Sequence, residues 1–409
     1  MGQPSRPLED LVVVGNGMAG MRTIEELLKL GGGRRYRIHV FGAEPHVNYN
    51  RILLSSVLAG DKSLADIVIN PRAWYEENGI TLITGDPVSR IDRQARTITS
   101  ASGRVVSYHR LLIATGSRPL APPIPGLELP GVSAFRDIAD VDKMLAAARE
   151  HRRAVVIGGG LLGLEAAWGL KQRGMSVALV HLMPNLMERQ LDEAAGQLLQ
   201  RDLDRRGIAF FTNGQTEEIL GRERVEGVLL ADGREIPADL VVLAIGIRPN
   251  IDLARQAGLE VNRGIVVMDD LRTSDPGIFA VGECVEHRGQ VFGLVAPLWD
   301  QAKVCAAQLT GDERALFSTR ALSTSLKITG IDVFSAGALT AADAGDDEII
   351  LRDDSRGRYK KIVLRDGKLV GAVLYGDVSD GPWYLQLMQA QSDVSGLRDR
   401  LVFGRAFAE

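Results

Sequence analysis

Gly15-Asn16-Gly17-Met18-Ala19-Gly20 and Gly158-Gly159-Gly160-Leu161-Leu162-Gly163 both fit the spacing G-x-G-x-x-G. This is a spacing with which a backbone can grip a pyrophosphate. The first glycine permits a tight turn, the second lets the main chain approach the phosphates, and the third lets a helix pack closely on a strand, with the anion at the helix N-terminus. Each cluster follows a short apolar run and opens a helical pattern, the context the motif requires. Two such devices imply two dinucleotides. The economical assignment puts FAD on Gly15, Gly17, Met18, Ala19 and Gly20. It puts NADH or NADPH on Gly158, Gly160, Leu161, Leu162 and Gly163, so that hydride can pass from one cofactor to the other.

The motif usually recruits an acid about 20 residues on, for the ribose hydroxyls. Glu44, just past the apolar run 38–41, is the candidate for FAD, slightly late; the alternative is a solvated loop acid. The second cluster has no such acid, because His181 follows the run 176–180. A carboxylate there would favour NADH, and a protonated imidazole could accept the 2′-phosphate of NADPH. A surface histidine would do neither, so the preference is open at this stage.

The elements that must hold these residues are legible from periodicity. Residues 11–14, 38–41, 154–158 and 176–180 are apolar runs of strand length, and 18–30 and 161–172 have helical spacing. That is strand, glycine turn, helix, strand, twice over: a βαβ unit on a parallel sheet. Five prolines within 116–131 forbid a helix or a central strand, so this stretch is an extended connector. Further apolar runs end in turns at 241–250 and 277–283. From about residue 320 apolar and polar residues alternate around glycines, indicating a small strand-rich domain in which 341–348 is a solvated loop. The fold class is α/β: two Rossmann-like three-layer dinucleotide-binding domains plus a small C-terminal α+β domain.

Composition agrees with this outline. A chain of 409 residues, 45% hydrophobic and 24% charged, has room for two or three packed domains. The net charge of −4 argues against a nucleic-acid binder. No apolar window is long enough to span a membrane, and the N-terminus lacks the apolar core of a signal peptide, so a cytoplasmic location is expected. The only cysteines, Cys284 and Cys305, form neither a C-x-x-C pair nor a disulfide framework. They cannot ligate an iron–sulfur cluster, and they are read as buried small apolar residues. No metal site is indicated.

In the order LLIATGSRP (111–119), AIGIRPN (244–250) and IFAVGE (278–283), the chain resembles the two-dinucleotide flavoprotein reductases. The stretches 43–55, 181–192, 282–302 and 359–377 are further similar to the flavin-binding front part of assimilatory NAD(P)H nitrite reductases and to the flavin subunits that feed assimilatory nitrate reductases. The resemblance implies an FAD domain over 1–118 and 248–315 and an NAD(P)H domain over 119–247. A C-terminal domain over 320–409 would serve acceptor docking or homodimer formation. It implies that Ala114, Thr115 and Gly116 lie against FAD, that Gly282 and Glu283 hold its ribityl chain, and that Gly246 borders the nicotinamide dinucleotide. Glu283 is a departure, since the family commonly has Asp there. Arg51 is expected at the FAD phosphates or ring, unless it is a surface arginine. Glu165 is expected near the carboxamide of the nicotinamide, unless it is simply a helix former. Trp299 is expected beside the isoalloxazine, unless it is a plain core aromatic. These last two would position the cofactors, and no acid–base residue is needed.

The full nitrite reductase continues into cysteine-rich and sirohaem modules, and this sequence ends at Glu409, so electron entry without nitrite reduction is expected. The acceptor would be a rubredoxin, a ferredoxin or the catalytic subunit of a nitrate or nitrite reductase. The cysteine-free segment 50–56 excludes coenzyme A disulfide, peroxide and glutathione reduction of the related type. Ser56 stands where ferredoxin reductases of oxygenase systems carry lysine, so that branch fits less well. A flavin redox sensor is the alternative from another functional class.

Overall fold

The structure, a computed structural model, describes residues 7–319, 323–326, 330–343 and 345–408. The first glycine cluster is framed by β1 (Glu9–Val14), α1 (Met18–Lys29) and β2 (Tyr36–Phe41), with β3 (Thr81–Ile83) and β4 (Arg110–Ile113) following. β5 (Val132–Ala134) and α2 (Ile138–Glu150) lead into the second, framed by β6 (Arg153–Ile157), α3 (Leu161–Gln172) and β7 (Ser176–Val180). Then come α4 (Glu193–Arg205), β8 (Ile208–Phe211), β9 (Leu240–Leu243), β10 (Ile278–Ala280) and α5 (Val295–Thr310). The C-terminal part holds β11 (Ser323–Ser325), β12 (Val333–Gly337), β13 (Asp346–Asp353), β14 (Arg358–Arg365), β15 (Lys368–Tyr375) and α6 (Gly381–Ala390).

The chain divides into two compact units. The first runs up to Arg51 and includes Leu64–Arg118 and Ile247–Thr319. Its five-stranded sheet, in the order β10-β4-β1-β2-β3, is parallel throughout. Leu11, Val12, Val13 and Val14 are all buried, as expected for a strand covered on both faces. α1 buries Met21, Ile24 and Leu27 on one face, spaced at helical period.

The second unit holds Ile52–Ser63, Pro119–Gly246 and the C-terminal residues. Its parallel sheet, in the order β5-β9-β6-β7-β8, repeats the logic of the first. In both sheets the strand before the glycine turn is central, and the chain returns on its far side. The crevice at the carboxyl ends of such a switch point is where open α/β sheets bind ligands. The stretch 52–63 groups with this second unit rather than with the remainder of 1–118. The cause is close packing: Arg173 donates to the carbonyls of Leu58 (2.6 Å) and Val57 (2.9 Å), and a Cβ on Gly169 would stand 2.8 Å from Leu58.

The C-terminal sheet, in the order β11-β12-β15-β14-β13, is antiparallel, with Tyr384 and Met388 of α6 packed in its core. The expectation of a loop over 341–348 needs correction, because Asp346 already begins β13. It sits opposite Arg365 in register, and both nitrogens of the guanidinium fork reach its carboxylate at 2.7 Å. The pairing gives an acidic stretch a strand partner that composition does not reveal. Among the described residues, no helix is long and apolar enough to cross a membrane.

Candidate functional site

In the first glycine turn the three glycines have different physical causes. Gly15 has φ +117°, and a Cβ there would lie 2.1 Å from the Ala114 carbonyl oxygen. A Cβ on Gly20 would lie 2.9 Å from both the Gly15 oxygen and the Ala114 Cβ. Packing against the end of β4 therefore requires these two glycines. Gly17 is different: its φ is −84°, ordinary for any residue, and its Cβ would meet nothing within 4 Å. It is also the N-cap of α1, which has no side-chain cap and no acid in its first turn. The first N–H groups of a helix have no intrahelical partner, so the backbone N–H groups of Met18, Ala19 and Gly20 are the donors this helix end has to offer, beside the open space at Gly17. Room for an anion where the protein itself needs no glycine fits a bound pyrophosphate.

Asn16, inside this turn, is held from three sides. The Tyr75 hydroxyl donates to its Oδ1 (2.8 Å), Asn48 donates to its carbonyl (3.0 Å), and its own amide donates to the His46 carbonyl (3.2 Å). Burial pushes the Tyr75 hydroxyl up to about 12, so it stays a donor. Glu44 and Arg51 are brought together. Glu44 accepts from the Tyr49 hydroxyl (2.7 Å) and pairs with Arg51, whose guanidinium lies 5.2 Å from the Tyr49 ring centre.

Around the end of β4, Ala114 donates to the Val14 carbonyl at 2.8 Å. Thr115 and Gly116 are clasped by Asn250, which donates its backbone N–H to Gly116 (2.9 Å) and its amide to the Thr115 carbonyl (2.8 Å). Glu283 accepts from the Ser117 hydroxyl at 2.7 Å. Gly282 (φ +94°) lies against the first turn of α1, since its Cβ would be 3.0 Å from that of Ala19. Its N–H donates to Gln301 Oε1 at 2.7 Å. Gln301 is fully buried, and its Nε2 has no partner among the described residues, a donor left facing this same region. Trp299 is half-buried with the Arg22 guanidinium 5.6 Å over its ring. Cys284 and Cys305 are completely buried, and burial pushes both thiols up, away from nucleophilic thiolate.

The second turn repeats the division of labour. A Cβ on Gly158 (φ +118°) would be 2.3 Å from the Ala244 oxygen, and one on Gly163 would be 1.9 Å from the Gly158 oxygen. Gly160 has φ −82° and open space, and it caps α3 without a side-chain partner or a first-turn acid. Leu161 is half-buried, Leu162 exposed, and Glu165 buried on α3. Gly246 (φ +121°) is exposed with nothing near its Cβ position. His181 is no surface residue, being 8% exposed. Its Nδ1 accepts the Gly159 N–H (3.0 Å), and its Nε2 faces the Asn185 carbonyl and Glu188 Oε2, both at 3.1 Å. A Cβ on Gly159 would strike the ring at 2.7 Å, which accounts for the middle one of the three consecutive glycines.

Sequence reasoning missed Asn250 and Gln301, although both lie inside stretches whose neighbours it chose. It also missed Asn16, Ser117 and Glu188, which stand at unspecified positions inside stretches it singled out, and Tyr75, which lies outside all of them.

Residues 9–308 match the family described as pyridine nucleotide-disulphide oxidoreductase, and residues 323–392 match the rubredoxin NAD+ reductase C-terminal domain. The chain is similar to a nitrite reductase [NAD(P)H] of Bacillus subtilis, 51% identical over 95% of this chain and 48% of that one. It is also similar to the assimilatory nitrate reductase electron transfer subunit of the same organism, 45% identical over 96% of this chain and 51% of the relative. It thus spans about half the length of both. Among solved structures, a covalent putidaredoxin reductase–putidaredoxin complex contains a chain that superposes with a TM-score of 0.84 at 26% identity, over 94% of each chain.

Proposed function

We propose that this chain, which belongs to the pyridine nucleotide-disulphide oxidoreductase family, carries electrons from NADH or NADPH through FAD to a separate carrier or reductase subunit in nitrate or nitrite assimilation. It is an oxidoreductase whose cofactors are FAD and NADH or NADPH. The observation that carries the reading is the pair of open second glycines, Gly17 and Gly160, each at an uncapped helix N-terminus. When bound, the nicotinamide supplies a hydride and the flavin releases the two electrons singly.

The residues of the chain bind and orient. The two glycine turns hold the pyrophosphates, and the Asn250 clasp presents the backbone of Thr115 and Gly116 to FAD. Glu283, set by Ser117, takes the ribityl hydroxyls, with Gln301 as a further donor. Glu165 and Trp299 position the reacting rings, and the Glu44–Arg51 pair borders the adenosine half of FAD. Two buried thiols leave this chain without the cysteine chemistry in its family's name. The printed function of the nitrate reductase relative, electron transfer, supports a protein acceptor. The match of 323–392 to a rubredoxin reductase domain favours a small iron protein as the second reading. We place the reaction in the cytoplasm, with the reductant.

The test is an anaerobic titration of the FAD-loaded chain with NADH and with NADPH, followed at the flavin absorbance. Bleaching by about one equivalent is expected, since one hydride reduces one flavin. Rubredoxin, ferredoxin and nitrate and nitrite reductase subunits are then offered as oxidants. Bound flavin that neither nucleotide reduces would overturn the reading in favour of a sensor.

A further inference from the structure

The strand after the second glycine turn ends without an acid, but the fold supplies one from further along the chain. His181 occupies the acid's place with both ring nitrogens committed. Nδ1 must be unprotonated to accept the Gly159 N–H, so the ring proton is on Nε2, facing the Asn185 carbonyl and the Glu188 carboxylate. Neither ring nitrogen is therefore left to meet a phosphate: one faces the Gly159 N–H and the other a carbonyl and a carboxylate. The loop is pinned to the same glycine by its main chain, since Met187 donates its N–H to the Gly159 carbonyl at 2.9 Å. Glu188 follows immediately.

We propose that Glu188 selects NADH over NADPH in this chain, by holding a negative charge at the edge of the turn where a 2′-phosphate would have to sit. The inference rests on the reading that the second turn binds the nicotinamide dinucleotide. In βαβ sites of this kind the 2′ position of the adenosine lies at the end of the second strand, where a carboxylate suits a hydroxyl and an arginine suits a phosphate. Between His181 and Glu188 there is no lysine or arginine. The first cation, Arg189, has a side chain 86% exposed and only a loose 3.8 Å approach to Glu188. Leu182 and Met183 present exposed apolar surface, which suits an adenine face and offers a phosphate nothing. A 2′-phosphate would bring about −1.5 to −2 charges to this carboxylate.

The test uses probes that cannot reduce flavin: ADP-ribose and 2′-phospho-ADP-ribose, bound calorimetrically to the FAD-loaded chain. The unsubstituted protein should bind ADP-ribose at least about tenfold more tightly, the scale of one partly screened charge contact. Glu188→Gln keeps an acceptor for His181 and removes the charge. It should narrow the ratio to within about threefold by raising affinity for the phosphorylated probe, and Glu188→Lys should invert it. FAD absorbance and the melting temperature confirm that each variant is folded, and the ratio of the unsubstituted protein is decisive by itself should a variant not fold. Equal binding of both probes to the unsubstituted protein, or a ratio unmoved in a folded Glu188→Gln, overturns the assignment. If neither probe binds while FAD is retained, the reading of the second turn fails, and this inference with it.

Discussion

At the scale of single residues, the glycine turns separate what the fold needs from what a ligand needs. Gly17→Val places a side chain in space the protein leaves empty, at a φ any residue adopts. The FAD-free variant should melt with the unsubstituted apoprotein and yet fail to retain flavin. The ratio of flavin to protein absorbance after gel filtration checks this, and full retention would remove the pyrophosphate from that turn. Gly15→Ala is the contrast. Its Cβ would meet a carbonyl at 2.1 Å with φ at +117°, so the fold itself should suffer. Glu283→Ala removes the acceptor of the Ser117 hydroxyl and the expected ribityl partner. A charged hydrogen bond of this type is worth about 1.5–3 kcal/mol, so FAD affinity should fall roughly tenfold or more in a fluorescence titration.

At the scale of elements, two aspartates join pieces of chain that are far apart in sequence. Asp192 caps α4 by accepting the Ala195 N–H at 3.2 Å. The same carboxylate accepts from the Tyr359 hydroxyl at 2.5 Å and meets Lys361 at 3.4 Å. Burial and this carboxylate together push the Tyr359 hydroxyl up, so it remains a donor. Lys361 is 6% exposed, with Glu348 at 3.0 Å as its other partner. Asp192→Ala loses a cap, about 1 kcal/mol, and half the support of a buried cation. A total loss of about 2–4 kcal/mol is expected in urea unfolding, and an unchanged midpoint would show that the cluster contributes nothing.

Asp239 ties the starts of β6 and β9. It accepts from the Arg153 guanidinium at 2.6 Å and from the backbone N–H groups of Arg153 (2.9 Å) and Arg152 (3.2 Å). The Arg153 side chain is the main cause holding its carboxyl well below the usual range. The unfolded chain takes up this proton near pH 4, and the folded chain only at lower pH. The contribution is thus fully present above pH 4 or so and is lost as pH falls from there through the folded value. Asp239→Asn should flatten that acid limb in melting temperatures recorded against pH, and an unchanged limb would assign it to other carboxylates.

At the scale of the molecule, each unit carries its own parallel sheet and glycine turn, and the reactive groups of the proposed chemistry belong to the cofactors. Nothing in that chemistry uses the two thiols. Cys284 donates to the Val281 carbonyl at 3.2 Å, and both cysteines lie wholly inside. The folded protein should leave a thiol reagent unreacted, while denaturant should release two reactive groups. A Cys284→Ala, Cys305→Ala variant that still folds should have its flavin bleached by the nucleotide as fully as the unsubstituted protein. Loss of bleaching with FAD still bound would restore cysteine to the mechanism.

The order of residues by itself determined what is local. The two strand–turn–helix–strand units, the helix 161–172 and the strand 176–180 follow from period and glycine spacing over a few turns of chain. The tertiary structure alone decided what depends on distant segments meeting. Asn250 clasps Thr115 across 135 positions, and Glu283 takes the Ser117 hydroxyl across 166. Asp346 finds Arg365 across a hairpin. No spacing rule encodes such meetings, because they are set by which strands become neighbours and how their ends pack. The acid missing from the second fingerprint was absent only from its expected position in the sequence; a pinned loop brings a carboxylate to that edge of the turn.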